Sequence, residues 1–232
     1  MAENRKKKAR GKRKERHSVS REGILQHAIE IANEEGLPKV SMRRIASYFG
    51  VEAMSLYHHI QSKDEILNGM VDQILGQVSF DGEAPWQDSM RQRAESTRQV
   101  LIKNPWALGI LESRPQPGPE TLAYHDKVLG VLFRHGFSLA LAAHTFSALD
   151  AYTYGFIMQE QALPFDNPED LEIIAASILA SFPKGAYPHL KRLTLDYILK
   201  PEYSYDKEFL YGLSLILDTL EARRKKEEDL VP

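Results

Sequence analysis

The sequence predicts an all-α protein: an N-terminal three-helix helix-turn-helix domain joined by a long helix to a second helical domain. Three observations carry this. From residue 20 onward apolar residues recur at spacings of three and four, no segment sustains the alternation of a strand, and no Asn-Gly or Asp-Gly pair sits between alternating apolar runs. Taken in order, Ser20 caps a first helix whose Ile24, Ala28, Ile31 and Ala32 share one face, and Gly36 ends it. A second helix runs over 42–49 and a third over 52–58, with Gly50 between them as the left-handed residue that stops the second. Ser62 caps a long fourth helix, and Glu65 is placed to complete a capping box. Pro85 opens the next, Asn104 and Pro105 end it, and a short element spans 106–114. Further helices are expected over 119–134, 138–162, 168–181, 186–199 and 206–226. The domains expected are a disordered basic arm at 1–19, a helix-turn-helix at 20–66 and a second helical domain at 67–228.

Charge separates the two ends of the chain. The 232 residues sum to −2, yet residues 1–21 hold ten Lys or Arg against two Glu, a local +8 that leaves −10 for the rest. Such an arm suits a polyanion and is too poor in apolar residues to fold alone. There is no cysteine, which excludes disulfides, thiolate metal sites and redox thiols. No apolar run approaches the roughly 18 residues of a membrane span, and the basic start lacks a signal-peptide core, so a cytoplasmic protein without a membrane partner is expected.

The stretch "SMRRIASYFGVEAMSLYHHIQSKDEIL", 41–67, is too short to bury much by itself. Ile45, Ala46 and Phe49 lie on one side of its first helix, small Ala46 admits a close neighbour, and Leu56 anchors the next helix. The opposite side of that next helix carries Ala53, Met54, Ser55, Tyr57 and His58, small and neutral at its start. Such a face can enter a major groove and read base edges by apolar contact and hydroxyl bonds. The residues Ser41, Ile45, Ala46, Gly50, Val51, Leu56, Tyr57, His59, Lys63 and Leu67 stand at fixed spacings that are similar to the DNA-binding domain of TetR-family transcriptional regulators. The resemblance is strong over 20–80. It continues more weakly through "LESRP", "HGFS" and "LDAYTYGFIMQEQ", which resemble the regulatory half of the tetracycline repressors.

That resemblance implies roles for individual residues. Ser41 and Lys63 stand at helix starts that meet phosphate, and Tyr57 and His59 correspond to backbone-contacting positions. Arg43 is the candidate for a bidentate guanine contact, with Ala53, Met54 and Ser55 on neighbouring bases. Met54 departs from the small or polar residue usual there, so no operator sequence carries over.

The second half, 67–228, is longer than a dimerisation clasp requires and is expected to be a ligand-binding and dimerisation domain. Ala148, Ala151 and Gly155 recur at three and four, and Phe209, Leu213, Ile216 and Leu220 form an a/d-like stripe; together they fit an intermolecular four-helix bundle, or else an intramolecular core. Asp150 is the one charge between His144 and Gln159 on an otherwise apolar helix. With Trp106, Arg114, His125, Phe146 and Tyr154 it forms the candidate effector site, although an internal salt bridge is the alternative use of such an acid. Ser79 and Ile110 stand where tetracycline repressors carry metal-associated histidines, so neither a metal nor another cofactor is expected. No Gly-x-Ser-x-Gly, phosphate loop or His-Glu-x-x-His is present, and the expected function is a non-enzymatic, ligand-responsive repressor acting as a homodimer on double-stranded operator DNA, with an unidentified small-molecule effector. Two alternatives remain at this stage: an architectural DNA-binding dimer, and an all-α enzyme with a DNA-targeting domain.

Overall fold

The computed structural model describes residues 19–113, 117–164 and 168–229. Most of the basic arm, and Arg114, lie outside the described residues. Among those described there is no strand. The helices are α1 (Arg21–Glu35), α2 (Met42–Phe49), α3 (Ala53–Leu56), α4 (Lys63–Leu75), α5 (Trp86–Lys103), α6 (Ala107–Ser113), α7 (Pro119–Arg134), α8 (Leu139–Gln161), α9 (Pro168–Ala180), α10 (Pro188–Leu193) and α11 (Tyr205–Glu228). Two compact units divide at Met70/Val71, inside α4 and a turn beyond the boundary expected at 66/67.

In the first unit the local signals act as read. Ser20 Oγ accepts the Gly23 N–H and Ser62 Oγ the Glu65 N–H, each at 3.1 Å, and Ser41 Oγ, not expected as a cap, accepts the Arg44 N–H at 3.2 Å. Glu65 returns a bond to the Gln61 N–H at 2.8 Å, one residue before the cap. Gly50 sits at φ 65, ψ 35, where a side chain would be strained. Ile24, Ala28, Ile45, Leu56, Ile60 and Met70 are all fully buried. Gly69 is required by proximity rather than by dihedral angle: a Cβ there would lie 2.7 Å from Leu25, so α4 crosses α1 almost backbone to side chain. The third helix is shorter than expected, ending at Leu56 rather than at 58, because the Tyr57 N–H bonds back only to Met54 and the His59 N–H to Leu56, tightening the chain into turns.

In the second unit α5, α7, α8 and α11 surround a core that includes Trp86, Met90, Val128, Leu132, Leu149 and Leu217. Arg224 holds the Glu221 carboxylate, and against burial it keeps that carboxyl down at about 2, helped by the indole N–H of Trp86, which donates to it at 2.9 Å. The stripe expected to face a partner is corrected here. Phe209 and Leu213 are 0% exposed and Leu220 is 7%, all inside the protomer's own core, with Ile216 half-buried against it. Phe209 lies against Tyr152 and Phe156 of α8 and under the Arg98 guanidinium, so a stripe that could have met another chain is filled by this one. The helix expected over 186–199 begins only at Pro188, whose ring fits a first helical position, and closes in one π-helical turn at Thr194–Ile198.

Candidate DNA-binding face and effector site

Two adjacent arginines on α2 have different fates. Arg44 reaches back to Glu35 of α1, Nη2 to Oε1 at 2.5 Å and Nε to Oε1 at 3.0 Å, which lowers the Glu35 carboxyl and raises the guanidinium. Arg43 is exposed and makes no ion pair among the described residues. The pairing therefore leaves one uncommitted guanidinium at this edge. On α3, Met54 is 73% exposed and Ala53 and Ser55 are half-buried, while Tyr57, His58 and His59 stand exposed on the turn that follows. Lys63 is exposed at the first position of α4. The Ser41 hydroxyl oxygen is used as a cap, and its proton remains available to donate.

The second unit gathers charge beneath aromatic rings. Arg93 of α5, 3% exposed, donates from Nη2 to Asp150 of α8 and from Nε to the Tyr124 hydroxyl of α7 at 2.6 Å. Its guanidinium lies 5.2 Å from the ring centroids of both Tyr124 and Phe146. His125 meets Phe146 edge to face at 5.0 Å. Burial works against the Arg93 charge, but Tyr124, Asp150 and Tyr154 outweigh it and keep it cationic. Tyr154 and Tyr124 are pushed up, first by burial and then by Asp150 among their neighbours. His125 is pushed down chiefly by burial, with Asp150 pulling the other way and Arg93 adding a smaller push down. The result is one buried ion pair framed by neutral rings, with His125, Phe146 and Tyr154 half-buried around it.

Of the effector candidates, the structure brings His125, Phe146, Asp150 and Tyr154 together and places Trp106 half-buried in the turn between α5 and α6. Sequence reasoning missed Arg93 and Tyr124. A signal for Arg93 existed: it lies on the buried stripe of α5 with Trp86, Met90, Thr97 and Leu101, at helical spacing, where a cation requires an acid. Ser79 falls in the loop after α4, its N–H bonded to Ser96 at 3.0 Å, and Ile110 is half-buried on α6. Among the described residues no group of three or more His, Asp or Glu is placed to hold a metal ion. No described helix is long and apolar enough to cross a membrane. Ala148 and Ala151 are exposed on α8, and a Cβ on Gly155 would meet nothing within 4 Å.

Comparison with known proteins agrees with this architecture. Residues 24–70 match the family described as bacterial regulatory proteins, tetR family, and residues 80–224 that described as tetracyclin repressor-like, C-terminal domain. The HTH-type transcriptional repressor DrrR1 of Streptomyces coeruleorubidus is 30% identical over 220 residues, 88% of this chain and 79% of that protein. An HTH-type transcriptional regulator of Saccharopolyspora erythraea is 30% identical over 144 residues, 61% of either chain. Apo ActR of Streptomyces coelicolor superposes with a TM-score of 0.74 at 24% identity, covering 90% of this chain and 98% of ActR, and ActR has also been solved in complex with actinorhodin. The chain belongs to the TetR family of transcriptional regulators. It is thus a helix-turn-helix regulator with a tetracycline-repressor-like C-terminal domain, a class whose members bind operator DNA and small-molecule effectors and dimerise.

Proposed function

We propose that this chain is a homodimeric repressor that reads a short palindromic operator through Arg43 and the exposed side of α3, and releases it when a small molecule engages the half-buried ring of His125, Phe146, Asp150 and Tyr154. The observation that carries the reading is the division of labour on α2. Glu35 holds Arg44, leaving Arg43 as the uncommitted guanidinium on α2 while Met54 stands exposed on α3, a combination suited to one guanine contact with apolar contacts to neighbouring bases. Ser41, Tyr57, His58, His59 and Lys63 flank it and supply phosphate contacts that set register.

The surface that receives the second copy is the outer side of α8 and α11. Ala148, Ala151 and Gly155 leave room for a close helix, and Tyr211 and Leu215, 65% and 52% exposed, offer apolar area on α11 that the protomer does not cover. Repression rather than activation is supported by the DrrR1 relative, a transcriptional repressor, and an effector by the ActR complex with actinorhodin. Selection from a random duplex pool tests the reading. The expected product is a palindrome with half-sites about one helical turn, roughly 34 to 36 Å, apart. Selection with Arg43→Ala is expected to return the same palindrome with one position per half-site degenerate. Enrichment of no common sequence, or tight binding by a monomer, would refute it.

A further inference from the structure

We propose that the second unit holds another small-molecule site, separate from the Asp150 cluster, that takes an amphipathic organic cation. It lies where the ends of α5 and α8, the start of α9 and the segment 198–205 meet around a cavity of about 820 Å³. Small-molecule sites run to roughly 300 to 1,000 Å³, so this half-open groove has the size of a binding site. Its walls are aliphatic at Ile102, Leu163, Leu171 and Leu199 and aromatic at Tyr203 and Tyr205. None of Arg93, Tyr124, His125, Phe146, Asp150 and Tyr154 lines it.

The aromatic wall is pre-formed. After the π-helical turn, the Tyr203 N–H bonds to the Lys200 carbonyl at 3.0 Å and Lys207 Nζ to the Glu202 carbonyl at 2.6 Å. Tyr197 donates its hydroxyl to Glu208 at 2.5 Å, and its ring meets that of Tyr203 edge to face at 5.5 Å. The loop is thus tied to itself and to the start of α11, and a ligand entering the cavity need not first order it.

Charge selects the class of ligand. Glu160 on the wall and Asp206 beside it share one guanidinium, that of Arg98, at 2.5 and 2.7 Å. Glu208 stands at the same end and Glu172 at the rim, against Lys200 on the lining and Lys207, whose ammonium bonds to the Glu202 carbonyl. Glu160, Glu172, Asp206 and Glu208 thus face Arg98, Lys200 and Lys207, and the charged groups that act on the tyrosine wall are the carboxylates Glu208 and Glu160. The tyrosines register them: burial raises Tyr203 and Tyr205 first, and Glu208 raises both further, with Glu160 acting on Tyr205 as well. A cation gains from these carboxylates and from the ring faces, while its apolar body fills the aliphatic side; an anion would meet repulsion.

The test uses the full-length protein and three fluorescent probes read by anisotropy: rhodamine 6G as a delocalised cation, Nile red as a neutral body and 8-anilinonaphthalene-1-sulfonate as an anion. Rhodamine 6G is expected to bind saturably and about tenfold or more tighter than the anion. Glu172→Lys, at an exposed rim position, is expected to weaken it by about threefold to tenfold, and Lys200→Glu to strengthen it by a similar factor. Ile102→Trp fills the cavity and is expected to abolish binding while far-UV dichroism stays unchanged; if that variant fails to fold, the two rim variants alone decide. Absence of saturable rhodamine 6G binding, equal binding of all three probes, or affinities that the charge reversals leave unmoved would overturn the proposal. Binding lost on substitution at His125 instead would assign the cation to the Asp150 cluster and overturn it equally.

Discussion

Asp72 offers the most quantitative test of how the regulatory unit is held together. It is 8% exposed, lies in the last turns of α4, and stands at the N-terminus of α7, where backbone N–H groups have no helical partner. Its Oδ1 accepts from the Thr121 N–H at 2.9 Å and the Thr121 hydroxyl at 2.7 Å, and Oδ2 from the Glu120 N–H at 3.2 Å. The approach is so close that a Cβ on Gly118 would lie 2.3 Å from the carboxyl carbon, which is why a residue at an ordinary φ of −83° is a glycine. Hydrogen bonds to a charged group contribute about 1.5 to 3 kcal/mol, and an acid at a helix N-terminus about 0.3 to 1 kcal/mol. Asp72→Ala removes both and leaves buried donors unpaired, so a loss of about 3 kcal/mol is expected. At about 2 to 4 °C per kcal/mol for a unit of this size, Tm falls by roughly 6 to 12 °C. Asp72→Asn keeps the acceptor oxygen without the charge and is expected to cost about half as much. Urea denaturation at one protein concentration, with Thr121→Val completing a double-mutant cycle, measures both the loss and the coupling. A loss under about 0.5 kcal/mol for Asp72→Ala, or strict additivity with Thr121→Val, would show that the carboxylate does not hold α7 to α4.

Three further outcomes are expected. Arg93→Leu alone, or Asp150→Leu alone, strands a buried charge and should cost about 3 to 5 kcal/mol, whereas the double variant should recover most of that loss in the same denaturation assay. His125 has its folded value below the ordinary 6.5, so the unfolded state takes up a proton first; stability is full above about pH 6.5 and is lost as pH falls from there toward the folded value, a loss that His125→Phe should remove from a pH series of melting curves. Lys63→Ala should weaken binding to all operator variants about equally, and deleting residues 2–16, which carry most of the basic arm, should flatten the plot of log affinity against log salt by several units per dimer; an unchanged slope would mean that the arm contacts no phosphate.

What the sequence by itself determined was local. The caps at Ser20 and Ser62, the left-handed Gly50 and the apolar positions around Ile45 and Leu56 all act within one or two helical turns, so the helix-turn-helix was legible residue by residue. Its only overreach there, a third helix drawn to 58, came at an end where turns and helix share the same residues. The tertiary structure decided partnership. Helical spacing shows that Phe209, Leu213 and Leu220 need a covered face, but the pattern is the same whether the cover is another chain or α8 of this one, and the fold chose α8. An isolated Asp150 announces that it needs a cation; that the cation is Arg93, 57 residues away, follows only from how α5 and α8 cross. Asp72 gave no signal at all, because an acid on α4 acquires its role from donors at the start of α7, 48 and 49 residues on. Periodicity records that a surface is buried, whereas the identity of what buries it is a property of chain crossings that no local pattern encodes.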